Sequence, residues 1–254
     1  MINLKKPTHC KGMFEYIIIL AVLLFIAVLF YKQANEEIEI LQINAERLLE
    51  LPTLYQDRSS IVISDFSTPN LGNNTEMQKR NHIMQMKINS TTFGNILKTN
   101  LRSFNFSTKT AEFLAKESGL AVWFEHHLYK SLLPSPYTSF FYSFNTSLWP
   151  DHRGLFKTRA FQTVFMPTQG VAIVSIMLPK MIPYLPTKWN GRPFSSLTIQ
   201  DTPLLTEIKF VEIRLRKGNL LLLPAHMLVD VRSEEEAWTF ISEIHHPISY
   251  MASG

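Results

Sequence analysis

The chain has 254 residues, 46% of them hydrophobic, and a formal net charge of +4. This length and apolar content predict one sizeable hydrophobic core, and therefore one ordered domain with an appendage. The basic residues are spread along the sequence rather than clustered with aromatic residues, so nucleic acid is excluded as the expected partner. The single cysteine, Cys10, lies near the N-terminus, which leaves the main domain without a disulfide.

An apolar segment near the N-terminus predicts a membrane-spanning helix. Residues 16–31 read YIIILAVLLFIAVLFY, and with the three preceding residues they nearly reach the ~20 residues that a helix needs to cross a bilayer. We therefore assign residues 13–31 to a transmembrane helix and residues 1–12 to a cytosolic tail. A cleaved signal peptide is the alternative, but it requires a shorter apolar region followed by a small-residue cleavage site.

The charges that flank this segment predict its orientation. Three lysines precede it, at positions 5, 6 and 11, whereas Glu36, Glu37 and Glu39 follow it closely, so the positive-inside rule leaves the N-terminus in the cytosol. This is the topology of a type II single-pass protein in the secretory pathway, at the cell surface or in a viral envelope, with membrane lipid around its anchor. Four glycosylation sequons agree with it, at Asn73, Asn89, Asn105 and Asn145.

The next segment, residues 32–52, predicts a short helical stalk that ends at Pro52. Its apolar residues recur at alternating spacings of three and four, which is the pattern of a coiled-coil seam. Two interpretations stay open: the stalk forms a parallel homodimer, or it packs its apolar stripe on the domain of its own chain. The seam consists of Tyr31, Ala34, Ile38, Leu41, Ala45 and Leu48.

Residues 53–254 predict a lumenal or extracellular domain that is mainly β. Short segments rich in β-branched and aromatic residues alternate with Gly, Pro, Asn and Ser, as in a sandwich or barrel. Only residues 108–117 predict a convincing helix, and residues 75–102 give no clear assignment. The predicted strands are residues 60–64, 120–124, 138–144, 160–166, 171–178, 208–215, 220–223 and 238–244.

The order of motifs in the second half of this domain resembles a known family. Residues 160–178, AFQTVFMPTQGVAIVSIML, predict a hairpin with its turn at residues 167–170, and a Leu-Pro pair and a charged loop follow. Residues 216–224 then read RKGNLLLLP. Over residues 150–246 this series resembles the cupin-like domains of the JmjC and asparaginyl-hydroxylase type. The resemblance implies a double-stranded β-helix, or jelly roll, with a few helices.

Enzymes of that family hold Fe(II) through a His-x-Asp/Glu pair and a second His, with open positions for 2-oxoglutarate and O₂. Counted from Gly170, the first pair falls on Lys157 and Arg159, and counted from Gly218, the second His falls on Val229. The residue that would grip 2-oxoglutarate falls on Ala172. Two cations repel a divalent ion and valine offers no lone pair, so these positions predict no metal.

The favoured hypothesis is therefore a non-catalytic protein for binding or assembly, with an unknown protein partner or with an anionic ligand held by Lys157 and Arg159. The alternative is an Fe(II)/2-oxoglutarate-dependent oxygenase whose ligands are displaced to His226, Asp230 or His245. A sugar-transferring lumenal enzyme is a third hypothesis that rests on membrane topology alone, because the sequence contains no Asp-x-Asp motif.

Overall fold

The computed structural model describes residues 9–32, 37–55, 59–88, 90–99, 106–234 and 236–253. In these ranges the chain is mainly β-sheet with helices, and it begins with a long apolar helix. Short 3-10 helices connect several of the elements. The α-helices are α1 (His9–Lys32), α2 (Leu51–Leu54), α3 (Asn74–Gln78), α4 (Asn81–Met84), α5 (Phe93–Thr99), α6 (Thr108–Glu117), α7 (Leu120–His127) and α8 (Pro247–Ser253).

The described strands form two large sheets and one small sheet. The strands are β1 (Ile40–Asn44), β2 (Ser60–Ser64), β3 (Lys87–Ile88), β4 (Thr91–Thr92), β5 (Ser143–Pro150), β6 (Arg153–Lys157), β7 (Gln162–Gln169), β8 (Val171–Met177), β9 (Phe210–Arg216), β10 (Leu220–Pro224), β11 (Leu228–Ser233) and β12 (Trp238–His245). The six-stranded sheet has the order β1-β2-β10-β7-β12-β5, and the four-stranded sheet has the order β6-β11-β8-β9. Strands β3 and β4 form a separate pair.

The two large sheets pack face to face around a shared hydrophobic core. Phe156 of the four-stranded sheet lies against Phe165 of the six-stranded sheet, with ring centroids 6.3 Å apart. Val174 and Val229 belong to the same buried cluster. The run of four leucines in β10 is fully buried, as the sequence predicts for a strand that is covered on both faces.

Two helices cover the outer face of the six-stranded sheet. Helix α6 confirms the prediction for residues 108–117: Ser107 caps it by accepting a hydrogen bond from the Thr110 N–H, at 3.2 Å. Helix α7 occupies residues that predicted a strand, so that prediction is wrong. Its apolar run fits either element, and here Leu120 and Phe124, four residues apart, bury one helical face. The Phe124 ring lies 5.6 Å from that of Phe240 in β12.

The helical stalk predicted for residues 32–52 is wrong, and the domain begins before residue 53. Helix α1 ends at Lys32, and β1 pairs in parallel with β2 over five residues, from Ile40 opposite Ser60 to Asn44 opposite Ser64. Pairing with a sheet thus overrides a helical spacing only two heptads long. The seam residues at positions 38, 41, 45 and 48 pack against this chain's own core. Ala34 lies outside the described residues.

The strands of the predicted hairpin at residues 160–178 exist as β7 and β8, but they lie in different sheets. The chain crosses from one sheet to the other at Gly170, which has a left-handed φ of 70°. A Cβ atom at this position would lie 2.7 Å from the backbone oxygen of Glu236, so the corner requires glycine for two reasons. The turn predicted for this hairpin is therefore a crossing point.

The remaining strand predictions divide clearly. Those for residues 60–64, 208–215, 220–223 and 238–244 are confirmed within two residues at their ends. The prediction for residues 138–144 overlaps only the start of β5. Strands β1, β6 and β11 were not predicted as strands from the sequence. The unassigned residues 75–102 contain α3 to α5 and the small sheet of β3 and β4.

The position of residues 45–54 against the core gives a first prediction. Leu51 is 0% exposed, whereas Leu49, two residues earlier, is 91% exposed. We expect Leu51→Ala to lower the free energy of unfolding by about 2–5 kcal/mol, because it leaves a cavity in the core. Leu49→Ala, the matched control, should change it by less than about 0.5 kcal/mol. Denaturant unfolding of the two variants measures the difference, and equal, small effects would contradict the observed packing.

Candidate functional site

A cavity of about 800 Å³ opens at the edge of the sandwich. It lies where β5 and β12 of the six-stranded sheet face β6 of the four-stranded sheet. Residues 189–191, which precede β9, and residues 106–108 at the start of α6 complete its wall. Its volume is within the range of about 300–1,000 Å³ that is usual for ligand pockets.

A β-bulge in β6 turns a half-buried arginine, Arg153, into this cavity. Phe156 stands opposite Val229 of β11, but Arg153 stands opposite Val231, so one extra residue separates them on β6. Such a bulge lets both side chains face the same side of the sheet. The Arg153 Cζ atom lies 3.6 Å from the centroid of the Phe156 ring. Arg153 was not predicted as a site residue, because residues 153–157 were not predicted as a strand.

Arg153 is paired across the cavity with a carboxylate of the other sheet. Its Nη2 atom lies 3.5 Å from Glu243 Oε1, and its Cζ atom lies 5.3 Å from the Trp149 ring. Burial lowers the pKa of Arg153, while Glu243 acts in the opposite direction. A guanidinium stays charged under such conditions, so Arg153 brings a positive charge into the cavity.

Only two of the three positions that motif spacing assigns to iron ligands line the cavity. Lys157 and Arg159 both line the cavity, and Val229 is fully buried opposite Phe156. The pKa of Lys157 is lowered, first by burial and then by the charges of Arg159 and Lys32. These positions hold two cations and a hydrocarbon side chain, so they do not fit Fe(II). Ala172, at the position for gripping 2-oxoglutarate, is buried.

The structure does not bring His226, Asp230 and His245 together. His226 Nε2 donates a hydrogen bond to the backbone oxygen of Tyr31 in α1, at 2.9 Å. Asp230 Oδ1 accepts one from the Phe194 N–H, at 3.1 Å, and the His245 ring stacks on Tyr250 of α8. Each side chain therefore contacts a different element. In the described part of the chain, no three His, Cys, Asp or Glu side chains are arranged for a metal ion.

His245 contributes a hydrogen-bonding atom to the cavity. The residue is buried, and its Nδ1 atom has no hydrogen-bond partner. Burial lowers the pKa of His245, although the charge of Glu243 two residues away opposes that shift. The cavity thus combines cations with an unpartnered imidazole nitrogen that a ligand can satisfy.

The loop that closes one side of the cavity is packed directly on β6. The Leu155 N–H donates to the Arg192 oxygen at 2.8 Å, and the Gly191 N–H donates to the Leu155 oxygen at 2.7 Å. A Cβ atom on Gly154 would lie 2.3 Å from the Gly191 oxygen, so only glycine permits this approach. The hydrogen bond from Arg192 lowers the pKa of Asp201 to about 2. These contacts hold the wall in place before a ligand arrives.

The glycosylation candidates differ in accessibility. Asn73 is buried: its side chain accepts a hydrogen bond from the Glu76 N–H as the N-cap of α3 and donates one to Asn70 Oδ1. Asn145 is exposed on β5, the edge strand of the large sheet, and it borders the cavity. Asn89 and Asn105 lie outside the described residues.

The buried carboxyl group of Asp230 predicts a pH effect on stability. Asp230 is 2% exposed, and burial raises its pKa to about 6 from 3.8, although the Phe194 N–H opposes the shift. Because the folded-state pKa is the higher one, its contribution to stability is complete below pH 3.8 and is lost as pH rises through about 6. Above that pH the folded protein carries a poorly solvated charge.

We therefore expect Asp230→Asn to increase the free energy of unfolding at pH 8 by about 1–3 kcal/mol and to change it little at pH 4. Asparagine still accepts the hydrogen bond from Phe194. Urea unfolding at both pH values measures the effect, and Asp201→Asn, at a partly exposed carboxylate paired with Arg192, serves as the control that should gain nothing at pH 8. Equal destabilisation of Asp230→Asn at both pH values would contradict this account.

Comparisons with known proteins give little further guidance. No protein-family model matches the chain, and no curated protein matches it. One solved structure that it resembles is hydroquinone 1,2-dioxygenase from Sphingomonas sp. TTNP3 with 4-hydroxybenzoate bound, at a TM-score of 0.29 and 18% identity. The match covers 43% of this chain and 62% of that chain, which is less than two thirds of its length. A similarity of this size does not indicate an activity.

Proposed function

We propose that this chain is a membrane-anchored binding protein in which a cupin-like jelly-roll domain holds an anionic ligand between its two sheets, without iron-dependent catalysis. The observation that carries the proposal is the charge of the cavity wall. Among the described residues that line it, Arg153, Lys157 and Arg159 are cationic, and Glu243 is the only carboxylate. An anion entering this space gains from the excess of positive charge.

The strand order supports the jelly roll. The eight strands β5 to β12 alternate between the two sheets, apart from the hairpin of β8 and β9. In space they give β5-β12-β7-β10 facing β6-β11-β8-β9, which is the order expected of two interlocked Greek keys. The cavity opens at the edge of the roll, beside Lys157 and Arg159, where the resemblance implies two of the three iron ligands of the related enzymes.

The apolar helix supports the anchor. Residues Phe14–Lys32 form a stretch with mean hydropathy 2.6, none of which is buried in the structure. A core helix of a soluble domain would be buried, whereas this exposed apolar surface fits contact with membrane lipid. With the lysines on its N-terminal side, we propose a type II topology in which the domain lies in a lumen or outside the cell. A signal sequence has a similar composition, and detection of the helix in the mature protein by mass spectrometry separates the two.

The ligand proposal predicts the effect of two charge substitutions. We expect inorganic phosphate or citrate to raise the midpoint of thermal unfolding of the full chain, and glucose to have no effect. Lys157→Gln and Arg159→Gln should each weaken anion binding about tenfold or more, because each removes a charge-assisted hydrogen bond. Lys98→Gln, on the exposed face of α5, is the control that should leave binding unchanged. All titrations are made at constant ionic strength, since salt screens surface charge.

A measurement of iron in the purified protein separates binding from catalysis. A protein purified with stoichiometric iron that is lost on His245→Ala would replace the binding proposal with the oxygenase. Anion binding that is equally strong in both cavity variants and in Lys98→Gln would also contradict it.

Because the pKa of Lys157 is lowered, affinity for the anion should fall at alkaline pH earlier in the wild type than in a protein that relies on ordinary surface lysines.

The proposed topology predicts the use of a glycosylation site. When the chain is expressed in a eukaryotic secretory system, we expect glycosidase treatment to increase its electrophoretic mobility. Asn145→Gln should remove one glycan, since Asn145 is exposed, whereas Asn73→Gln should leave the glycan pattern unchanged, because Asn73 is buried and hydrogen-bonded. A chain with no glycan at any sequon would count against the lumenal placement of the domain.

A further inference from the structure

A second, smaller cavity lies where the membrane helix meets the domain. Its volume is about 290 Å³, and it shares no lining residue with the inter-sheet cavity. Tyr31, next to the last residue of the apolar stretch Phe14–Lys32, forms part of its wall. Tyrosines are enriched at the level of the lipid headgroups, so the cavity lies at the membrane surface if α1 spans the bilayer.

Helix α1 is joined to the domain directly beside this cavity. His226 donates from Nε2 to the Tyr31 oxygen at 2.9 Å, and the two rings meet edge to face with centroids 5.5 Å apart. The Tyr31 carbonyl belongs to the last turn of α1, where carbonyl oxygens have no N–H partner within the helix. His226 is thus a cap for the membrane helix and also a wall residue of the cavity.

The wall of this cavity is aromatic and uncharged. Phe161 meets Tyr55 and Tyr142 edge to face, with ring centroids 6.2 and 5.6 Å apart. The described lining residues include no Lys, Arg, Asp or Glu. Burial lowers the pKa of His246, so this histidine is neutral near pH 7. Such a wall favours an uncharged ligand, because a buried charge without a partner is costly.

Two polar atoms in the wall have no partner. Gln162 is 4% exposed, and its side-chain oxygen accepts no hydrogen bond. The Tyr55 hydroxyl is also buried without one; it lies near the Gln162 amide, but their geometry falls short of a hydrogen bond. Buried polar atoms are normally satisfied, and each exception calls for an explanation. A ligand with a hydroxyl or N–H group would provide the missing donor to Gln162 Oε1.

We propose that this cavity binds a small neutral amphiphile that partitions from the membrane, with its donor group on Gln162 Oε1 and its apolar part against Phe161, Tyr55 and Tyr142. Its volume is at the lower end of the range for ligand pockets, about 300 Å³, so a single short chain or ring fills it. The proposal does not depend on the anion site, because the two cavities have separate walls. A negative result for one cavity therefore does not contradict the proposal for the other.

The test uses the full chain in phosphatidylcholine nanodiscs and a photoreactive diazirine analogue of 1-octanol. We expect saturable labelling of domain peptides that contain Tyr142 or Phe161, and competition by 1-octanol but not by octanoate. Labelling of α1 itself is background from the bilayer. Labelling of the domain that does not saturate, or competition by octanoate as effective as that by 1-octanol, would overturn the proposal.

Three variants identify the role of each wall group. Gln162→Leu should weaken binding of 1-octanol about three- to tenfold, since it removes one neutral hydrogen bond, and should leave binding of dibutyl ether, which has no donor, unchanged. Gln42→Leu, exposed on β1, is the matched control. Ala225→Leu, which fills the cavity with a larger side chain, should weaken binding of both probes. Equal affinity of 1-octanol for Gln162→Leu and the wild type would overturn the assignment.

Discussion

The contact between the two sheets at Phe156 and Phe165 is the constraint on which the rest of the structure depends. On one side of these rings the interior is a dry core of Val, Ile and Leu side chains. On the other side stands Arg153, and a guanidinium cannot be packed into hydrocarbon without a polar partner. The sandwich therefore stays open at this end, where Glu243 and solvent meet the charge. The cavity is a consequence of placing a cation next to the last aromatic layer of the core.

The sequence predicts the parts of the fold that depend on local pattern. The leucine run of β10 and the strand at residues 238–244 consist of short, strongly apolar segments bounded by turn residues, and α6 has a recognisable cap at Ser107. These features were predicted correctly because no distant segment changes their periodicity. Lys157 and Arg159, which motif spacing assigns to one pocket, both line the inter-sheet cavity, and their role in holding an anion stays a prediction.

What the sequence does not reveal are the features that depend on distant pairing. Strand β1 forms because β2, twenty residues away, pairs with it in parallel. The helical spacing of the apolar residues in residues 32–52 contains no information about this pairing. The corner at Gly170 has the same local sequence signals as a hairpin turn, and only its position between two sheets makes it a crossing. Arg153 reaches the cavity because of a β-bulge opposite Asp230. The residue pattern of β6 does not predict this bulge.

One short segment separates the two cavities and determines the chemistry of both. Lys157 and Arg159 line the charged cavity, while Phe161 and Gln162 line the neutral one. Thr158, between the two cations, is fully buried and fixes the segment in place.

The Thr158 hydroxyl donates a hydrogen bond to the Pro224 oxygen and accepts one from the Met227 N–H, both at 2.9 Å. The Thr158 backbone oxygen accepts a third from the His226 N–H, at 2.7 Å. The turn at residues 224–227 is therefore tied to the strand beside the cations and, through His226, to the end of α1. The rigidity of this segment holds two cations beside one cavity and one unpartnered polar atom, Gln162 Oε1, beside the other, next to the apolar helix α1.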